Sequence, residues 1–507
     1  MNRSTVHRAP DMFAPMLAVI LLALALLLAP AQAMAAPPPP SGAPADVTVM
    51  SFNVWLGGDV VDFGTVVEAI RAADADIVGL QEAEANTERI AKALGWPYWS
   101  DRLHVVSRYP LIDPPRAKGA FVLAQIRPGE VFALSNVHLT SDPYGPYAVR
   151  DGRKLERVLR LERTVRLPEI RGTLDALAKG LPDDMPAFLT GDFNTPSHLD
   201  WTPAVAAVRP AVKYPVEWPV TKAVEGAGFV DTYRAVHPDP VANPGITWTF
   251  GYPFPRLAPD EAVDRIDMVH ARHAAQVLDA GIVGPPGTRD ATVTVDPYPS
   301  DHRAVYARVR LTPTSPGTFA SVLDRRVVRG NPVGVRYGTP RGSAGDRLVV
   351  VRAGKGPGKA LMWLPPHEAE FFGSVTFASG ALKPGRYDVL LTTRRDRVLS
   401  RSTFWVVRPG ARPQIEVADK VRVGRKIRVS WHNAPAQRFD WVGIYKAGDP
   451  DLYNDYLAFA YTGATVAGRT AFAGSRKWYP PGRYVARLMR DDGYGVLAEV
   501  PFTIVER

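Results

Sequence analysis

Residues 187–194 read Ala-Phe-Leu-Thr-Gly-Asp-Phe-Asn. A short apolar run ending on glycine, aspartate and asparagine reads as a buried strand. It delivers a carboxylate and an amide at its carboxy-terminal end, where α/β folds place their sites. The same pattern recurs on both sides. Upstream, Val47-Thr48-Val49-Met50-Ser51-Phe52 runs into Asn53, and Ile77-Val78-Gly79-Leu80 runs into Gln81-Glu82. Residues 131–137 form a third such strand, leading to Asn136-Val137-His138-Leu139. Downstream lie Asp264-Arg265-Ile266-Asp267 and Ser300-Asp301-His302. Residues 63–73 and roughly 150–178 have helical patterning. Strands alternating with helices predict a layered α/β domain over 46–312.

Each cluster has an ordinary reading by itself. Asn53 suits a turn, Glu82 a helix cap, His138 a core position, and Asp192 with Asn194 an Asx-turn. Their order is more specific. SFN (51–53), LQE (80–82), NVHL (136–139), GDFN (191–194), RID (265–267) and SDH (300–302) together resemble the endonuclease/exonuclease/phosphatase superfamily. Its members include deoxyribonucleases, abasic-site endonucleases, neutral sphingomyelinases and inositol-polyphosphate 5-phosphatases. Ser107-Arg108-Tyr109-Pro110 and Gly228-Phe229-Val230-Asp231-Thr232 also match.

The resemblance implies a four-layered α/β sandwich, two packed mixed sheets flanked by helices. It implies a phosphoester hydrolase that cleaves P–O bonds by a metal-activated water with an Asp/His pair. A phosphodiester repels hydroxide, and a divalent cation offsets that repulsion. Mg²⁺ is the implied cofactor, with Mn²⁺ or Ca²⁺ as alternatives; Glu82, Asn53 and Asp301 are the implied ligands. Asp192 would activate or orient the water. Asn194 would hold a phosphoryl oxygen or fix Asp192. His302 is the implied acid–base group and Asp267 its partner, with Asp264 competing for that role. His138 would donate to the phosphate from the opposite side. Abasic endonucleases carry an aspartate two positions after the first asparagine; here that position is Trp55.

The substrate is read as nucleic acid or a phospholipid or sphingolipid headgroup. Tyr144 and Tyr147 are candidates to wall the pocket or stack on a base, and equally suit a structural turn. Arg150, Arg153, Lys154, Arg157, Arg160, Arg163 and Arg166 make one stripe on the long helix, suited to phosphates or to solvent. Trp218, Trp248 and Phe250 could contribute to membrane contact but are read first as core.

The chain has 507 residues and no cysteine. That excludes disulfides, thiolate metal sites and cysteine nucleophiles. Residues 37–312 carry net charge −6 and residues 313–507 carry +15. An acidic front suits cations; a basic back suits an anionic surface. Past a turn-rich boundary at 312–317 the texture becomes short, alternating and rich in glycine and proline. Asp346–Lys355 resembles Asp440–Asp449, and Pro-Gly-Arg-Tyr at 384–387 recurs at 481–484. Two immunoglobulin-like β-sandwich modules are expected, at 319–408 and 413–507. Trp441, Trp478 and Tyr479 are candidates for a binding face there, with core the stronger reading for Trp441, which begins an apolar strand. Arg3 and Arg8, an apolar run and Ala-x-Ala describe a signal peptide over 1–36, followed by a proline-rich linker over 37–45. An exported protein, periplasmic or extracellular, is expected. The rival reading is a non-catalytic surface or polyanion-binding protein that works through its basic modules.

Overall fold

In the computed structural model, residues 42–506 are described apart from 115, 116, 118, 252–254, 259, 274, 275, 340–344, 367–371, 453 and 454. The expected signal segment and the linker up to residue 41 lie outside the described residues. The strands of the front part are β1 (Ala45–Asn53), β2 (Ile77–Gln81), β3 (Tyr98–Ser100), β4 (Val105–Ser107), β5 (Leu111–Ile112), β6 (Val122–Arg127) and β7 (Glu130–His138). They continue with β8 (Ala187–Asp192), β9 (Val230–Asp231), β10 (Asp267–Arg272), β11 (Gln276–Gly284), β12 (Ala291–Thr294) and β13 (Ala304–Leu311). The helices are α1 (Phe63–Ala72), α2 (Thr87–Leu94), α3 (Gly145–Arg150), α4 (Leu155–Thr164), α5 (Arg166–Gly180), α6 (Pro203–Val208), α7 (Pro219–Gly226) and α8 (Thr232–Val236).

One sheet has the order β12-β11-β13-β1-β2-β4-β3 and the other β5-β6-β7-β8-β10-β9. Both mix parallel and antiparallel pairs. Val47, Val49 and Ile77 of one sheet pack on Phe132, Phe188 and Val269 of the other. Outside the first sheet, Val66 and Ile70 of α1 and Ile90 of α2 cover Met50 and Val78. Outside the second, Ile170 and Leu177 of α5 and Val224 of α7 cover Ala133 and Leu189. Each such side chain contributes about 1.5–3 kcal/mol on burial. The architecture is thus the expected four-layered α/β sandwich.

A polar stitch joins the sheets near the site. Asn136 Nδ2 donates to the carbonyls of Leu80 (2.7 Å) and Leu103 (3.0 Å). Its Oδ1 accepts from Gln81 Nε2 (2.7 Å) and Thr190 Oγ1 (3.0 Å). The layers meet closely here: a Cβ on Gly79 would lie 2.1 Å from Thr190 Oγ1.

The expected long helix over 150–178 is instead α3, α4 and α5. Gly152, at φ +74, turns the chain after α3. Pro168 cannot donate a helical hydrogen bond and its ring crowds the Thr164 carbonyl, so the helix breaks at Val165. The basic stripe is broken with it. Arg157, Arg160 and Arg163 are exposed, but Arg166 is fully buried, donating to Glu162 Oε1 (2.8 Å) and the Pro143 carbonyl (2.9 Å). Trp218 and Phe250 are buried, as read.

The back part holds two β-sandwiches of one design. In the first, Phe319–Val322, Pro332–Gly338 and Phe372–Ala378 pack on a five-stranded sheet containing Arg347–Arg352, Gly385–Thr392 and Val398–Val407. In the second, Gln414–Val417, Ile427–His432 and Gly468–Phe472 pack on one containing Trp441–Lys446, Gly482–Met489 and Val496–Val505. The repeated Pro-Gly-Arg-Tyr has a common purpose. Tyr387 OH donates to the Lys383 carbonyl (2.6 Å) and stacks on Phe404; Tyr484 OH donates to the Pro480 carbonyl (2.7 Å) and stacks on Phe502. Each tyrosine fixes a corner through its hydroxyl and fills the core with its ring.

The described residues form a single unit. Arg438 of the second sandwich donates to the Gly119 (3.3 Å) and Ala120 (3.1 Å) carbonyls of the front part. Arg336 of the first donates to the Leu111 carbonyl (2.6 Å).

Candidate active site

The strand ends bring the polar clusters to one edge of the two sheets. Asn53 and Gln81 pair across β1 and β2. His138 pairs with Asp192 across β7 and β8, and Asp192 with Asp267 across β8 and β10. His302 precedes β13, and Ser300 Oγ donates to the Asn53 carbonyl (2.7 Å) while accepting from His302 N (3.0 Å).

Asp192 is the centre of this arrangement. Its Oδ2 accepts from Asn53 Nδ2 at 3.2 Å and lies 3.6 Å from His138 Nε2 and 3.8 Å from His302 Nε2. Its Oδ1 accepts from Asn194 N (2.9 Å), while Asn194 Nδ2 donates to the Leu139 carbonyl (2.9 Å). Asn194 is therefore a brace for the aspartate. Asn53 Nδ2 also donates to Glu82 Oε1 (3.1 Å), and Leu56 N to Glu82 Oε2 (3.1 Å). Trp55, Leu56, Glu82 and Asn194 all have positive φ, between 47° and 57°. Such conformations in non-glycine residues cost energy and gather at functional sites.

His302 Nδ1 meets Asp267 Oδ2 at 2.9 Å. Asp264 faces elsewhere, accepting from Trp201 Nε1 (2.8 Å) and Tyr144 OH (3.2 Å). The choice between the two aspartates therefore falls on Asp267. Burial opposes a charged His302, but Asp267, with Asp301 and Asp192 beyond it, raises its pKa well above the ordinary histidine value. Burial also opposes charge on His138, yet Asp492 and Asp192 push its pKa up to about 10. Burial first, then Asp267, raises the pKa of Asp192.

These groups line a cavity of about 400 Å³. Glu82, Asp192, Asp301, His138 and His302 form its floor, with Trp55 and Trp248 beside them. The opposite wall belongs to the second β-sandwich: Trp441, Tyr456, Phe459, Tyr461 and Tyr494, with Asp492. No lysine or arginine stands among the described lining residues. Tyr144, Tyr147 and Arg150 do not line the cavity. Tyr144 is buried with its hydroxyl on Asp264, Tyr147 packs edge-on against it at 5.1 Å, and the Arg150 guanidinium lies 4.4 Å from the Tyr147 ring. They form a layer behind Trp248, whose ring is 5.6 Å from Tyr144 and 6.2 Å from His302. Trp441, read as core, is buried and also lines the cavity; Trp478 is exposed and away from it, and Tyr479 is buried. The aromatic wall and Asp492 were not identified from the sequence.

Two donor sets bear on a metal. Asp192, Asp267 and His302 offer ligand atoms within 4.8 Å of one another. However, His302 Nδ1 is spent on Asp267, and a charged imidazole repels a cation. Glu82 and Asp301 are hard carboxylate donors, the kind Mg²⁺ prefers; the Asn53 amide, implied as a third ligand, instead turns its NH₂ rather than its oxygen toward Glu82 and Asp192, and its Oδ1 accepts from Trp55 N (3.1 Å). Asp301 Oδ1 is buried with no hydrogen-bond partner among the described residues, and burial pushes the Asp301 carboxyl up to about 6, with Glu82 nearby adding to the rise. A cation would relieve both, so this set fits a divalent metal.

The sequence profile of the Endonuclease/Exonuclease/phosphatase family matches residues 50–302. The uncharacterized protein F14F9.5 of Caenorhabditis elegans is 32% identical over 291 residues, spanning 52% of this chain and 90% of that protein. Among solved structures, the endonuclease/exonuclease/phosphatase from Beutenbergia cavernae DSM 12333 is similar at 18% identity and a TM-score of 0.35, covering 71% of this chain and 99% of that one. The polymeric Ig receptor ectodomain of a teleost fish is similar at 13% identity and a TM-score of 0.14, covering 37% of this chain and 97% of that one.

Proposed function

The chain belongs to the endonuclease/exonuclease/phosphatase family and is a hydrolase of phosphoric esters, and from this premise we propose that it is a metal-dependent phosphodiesterase acting on a single phosphodiester that carries a compact organic group. The cavity carries this reading. An aromatic wall faces the Asp192–His302 floor, and no lysine or arginine is among its described lining residues. Tight nucleic-acid binding runs on neutralising successive phosphates with such residues. Aromatic rings suit an organic group attached to one phosphate. A lipid headgroup ester is therefore favoured over a polynucleotide.

A divalent cation held by Glu82 and Asp301 would neutralise phosphate charge and assist the departing oxygen. The remaining roles belong to side chains. Asp192, braced by Asn194 and raised in pKa, accepts the proton of the attacking water. His302, held charged by Asp267, supplies its Nε2 proton to the leaving oxygen. His138 donates from the other side of Asp192. The reading includes export, resting on the charged, apolar and small-residue order of 1–36, and attraction of the basic modules to an anionic surface.

The test is a substrate panel with the full chain and Mg²⁺: a chromogenic phosphodiester, lipid headgroup diesters, plasmid DNA and RNA. Turnover of headgroup diesters at least about tenfold above nucleic acid supports the reading, a margin worth about 1.4 kcal/mol of barrier. Preference for DNA or RNA contradicts it.

A further inference from the structure

The two β-sandwiches share one design but differ at one hairpin. In the first, the tip between Gly385–Thr392 and Val398–Val407 is exposed, and its Asp396 pairs with Arg347 of the same sandwich. In the second, the matching tip between Gly482–Met489 and Val496–Val505 carries Asp491-Asp492-Gly493 and enters the front part. Asp491 Oδ1 meets His104 Nε2 at 2.6 Å. Asp492 Oδ2 meets His138 Nδ1 at 2.5 Å, from a residue 354 positions away. Gly493 packs so closely that a Cβ there would lie 2.8 Å from Glu84 Cδ.

The tip is held firmly. Asp492 Oδ1 accepts from Tyr461 OH (3.1 Å), so both carboxylate oxygens are engaged. Asp492 N donates to the Phe439 carbonyl (2.9 Å), and Trp441 Nε1 to the Gly493 carbonyl (3.1 Å). The same tip is tied again where Asp491 N donates to Asp440 Oδ1 (3.2 Å) and Gly493 N to the Arg490 carbonyl (2.7 Å). Asp491 and Asp492 have φ of 47° and 67°, conformations that non-glycine residues adopt at a cost. A carboxylate on one imidazole nitrogen fixes the ring and with it the direction of the other nitrogen. Here the other nitrogen is His138 Nε2, which points at Asp192 from 3.6 Å.

We propose that Asp492 is a positioning residue of the hydrolytic site, supplied by the second β-sandwich and acting through His138. The sandwich is then a working part of the enzyme as well as a wall of its cavity. The inference rests on the part given to His138 above, and its test separates the two.

The experiment uses the full chain with Mg²⁺ and bis(p-nitrophenyl) phosphate, comparing Asp492→Asn, His138→Gln and the double variant. Asp396→Asn is the control at the matching hairpin. The expected result is a loss in kcat of about 10- to 100-fold for Asp492→Asn with KM little changed, part of the ~10²–10⁴-fold that a positioned acid–base group supplies. In the His138→Gln background the same substitution should cost no more than about twofold, and Asp396→Asn should have no effect. An equal loss in both backgrounds would make Asp492 merely structural and overturn the proposal, as would wild-type kcat in Asp492→Asn. Should that variant not fold, Tyr461→Phe, which removes one of the two bonds to Asp492, is expected to lower kcat in the same His138-dependent way, and an unchanged kcat overturns the proposal. Nitrogen-15 spectra of labelled histidines read the positioning without turnover. The His138 Nδ1–H signal should be present in the wild type and lost or shifted in Asp492→Asn; an unmoved signal overturns the proposal even in a chain that hydrolyses nothing. Absence of turnover with the expected spectra would count against the phosphodiesterase reading alone.

Discussion

Replacing Asp267 by asparagine changes one oxygen of a residue that is fully buried beside His302. The carboxylate uses Oδ2 for His302 Nδ1 at 2.9 Å, while Oδ1 is buried with no hydrogen-bond partner among the described residues. An amide there has two poor choices. With nitrogen toward His302, it demands a lone pair on Nδ1 and forces the wrong tautomer. With oxygen toward His302, it keeps the tautomer but places an NH₂ where no acceptor waits, at about 1–3 kcal/mol. In either case the negative charge that keeps His302 protonated is gone. General acid–base groups contribute about 10²–10⁴-fold, which is ~3–5 kcal/mol of barrier. Asp267→Asn should therefore lower kcat by about 10²–10⁴-fold with KM nearly unchanged, and lower stability by about 1–3 kcal/mol. Steady-state kinetics on a chromogenic phosphodiester and urea unfolding measure the two. A kcat within about threefold of wild type in a folded variant, far short of the acid–base contribution, would refute the dyad as the acid–base unit.

The polar stitch and the docked hairpin give further expectations. Asn136→Ala leaves the Leu80 and Leu103 carbonyls without their Asn136 donor and removes an acceptor from Gln81 Nε2; at ~1–3 kcal/mol for each lost partner, a loss of at least about 3 kcal/mol is expected in urea unfolding. Tyr484→Phe removes one corner hydrogen bond, worth about 0.5–1.5 kcal/mol, and Tyr387→Phe should cost a similar amount at the matching corner. His104 gives a pH dependence. Burial opposes its charge, but Asp491, with Asp492 and Asp101, raises its pKa above 6.5, while burial raises Asp491 to about 6. Both shifts mean that the folded chain binds protons more tightly than the unfolded one, so the stabilisation is lost as pH rises. The wild-type advantage over His104→Gln in thermal unfolding should be full below the ordinary histidine value of 6.5 and shrink as pH rises beyond it. An advantage that grows with pH would contradict this.

Much of the site was legible because its residues sit where local pattern places them. Asn53, Glu82, His138 and Asp192 end or follow buried strands, and parallel or antiparallel pairing brings strand ends to one edge. The helix break was also written in the sequence, in Gly152 and Pro168, but a strong run of helix formers concealed it. Tyr144 is different: its position after His138 suggests a pocket wall, and only the tertiary fold shows its hydroxyl turned toward Asp264. Least legible were Asp492 and the aromatic wall. Nothing local joins Asp492 to His138, and Trp441 begins an apolar strand just as a core residue does. In a repeat whose design is otherwise shared, the informative signal was the difference between the repeats: Asp-Asp-Gly at 491–493 against Arg-Arg-Asp at 394–396.

The most direct test of the account is metal-dependent hydrolysis of a phosphodiester by the purified full chain, measured with Mg²⁺ and with chelator beside Asp192→Ala and His302→Ala. Turnover is expected with Mg²⁺, abolished by chelation and lowered by each substitution by at least about 10²-fold. Turnover that survives chelation, or that persists in either variant, would contradict it.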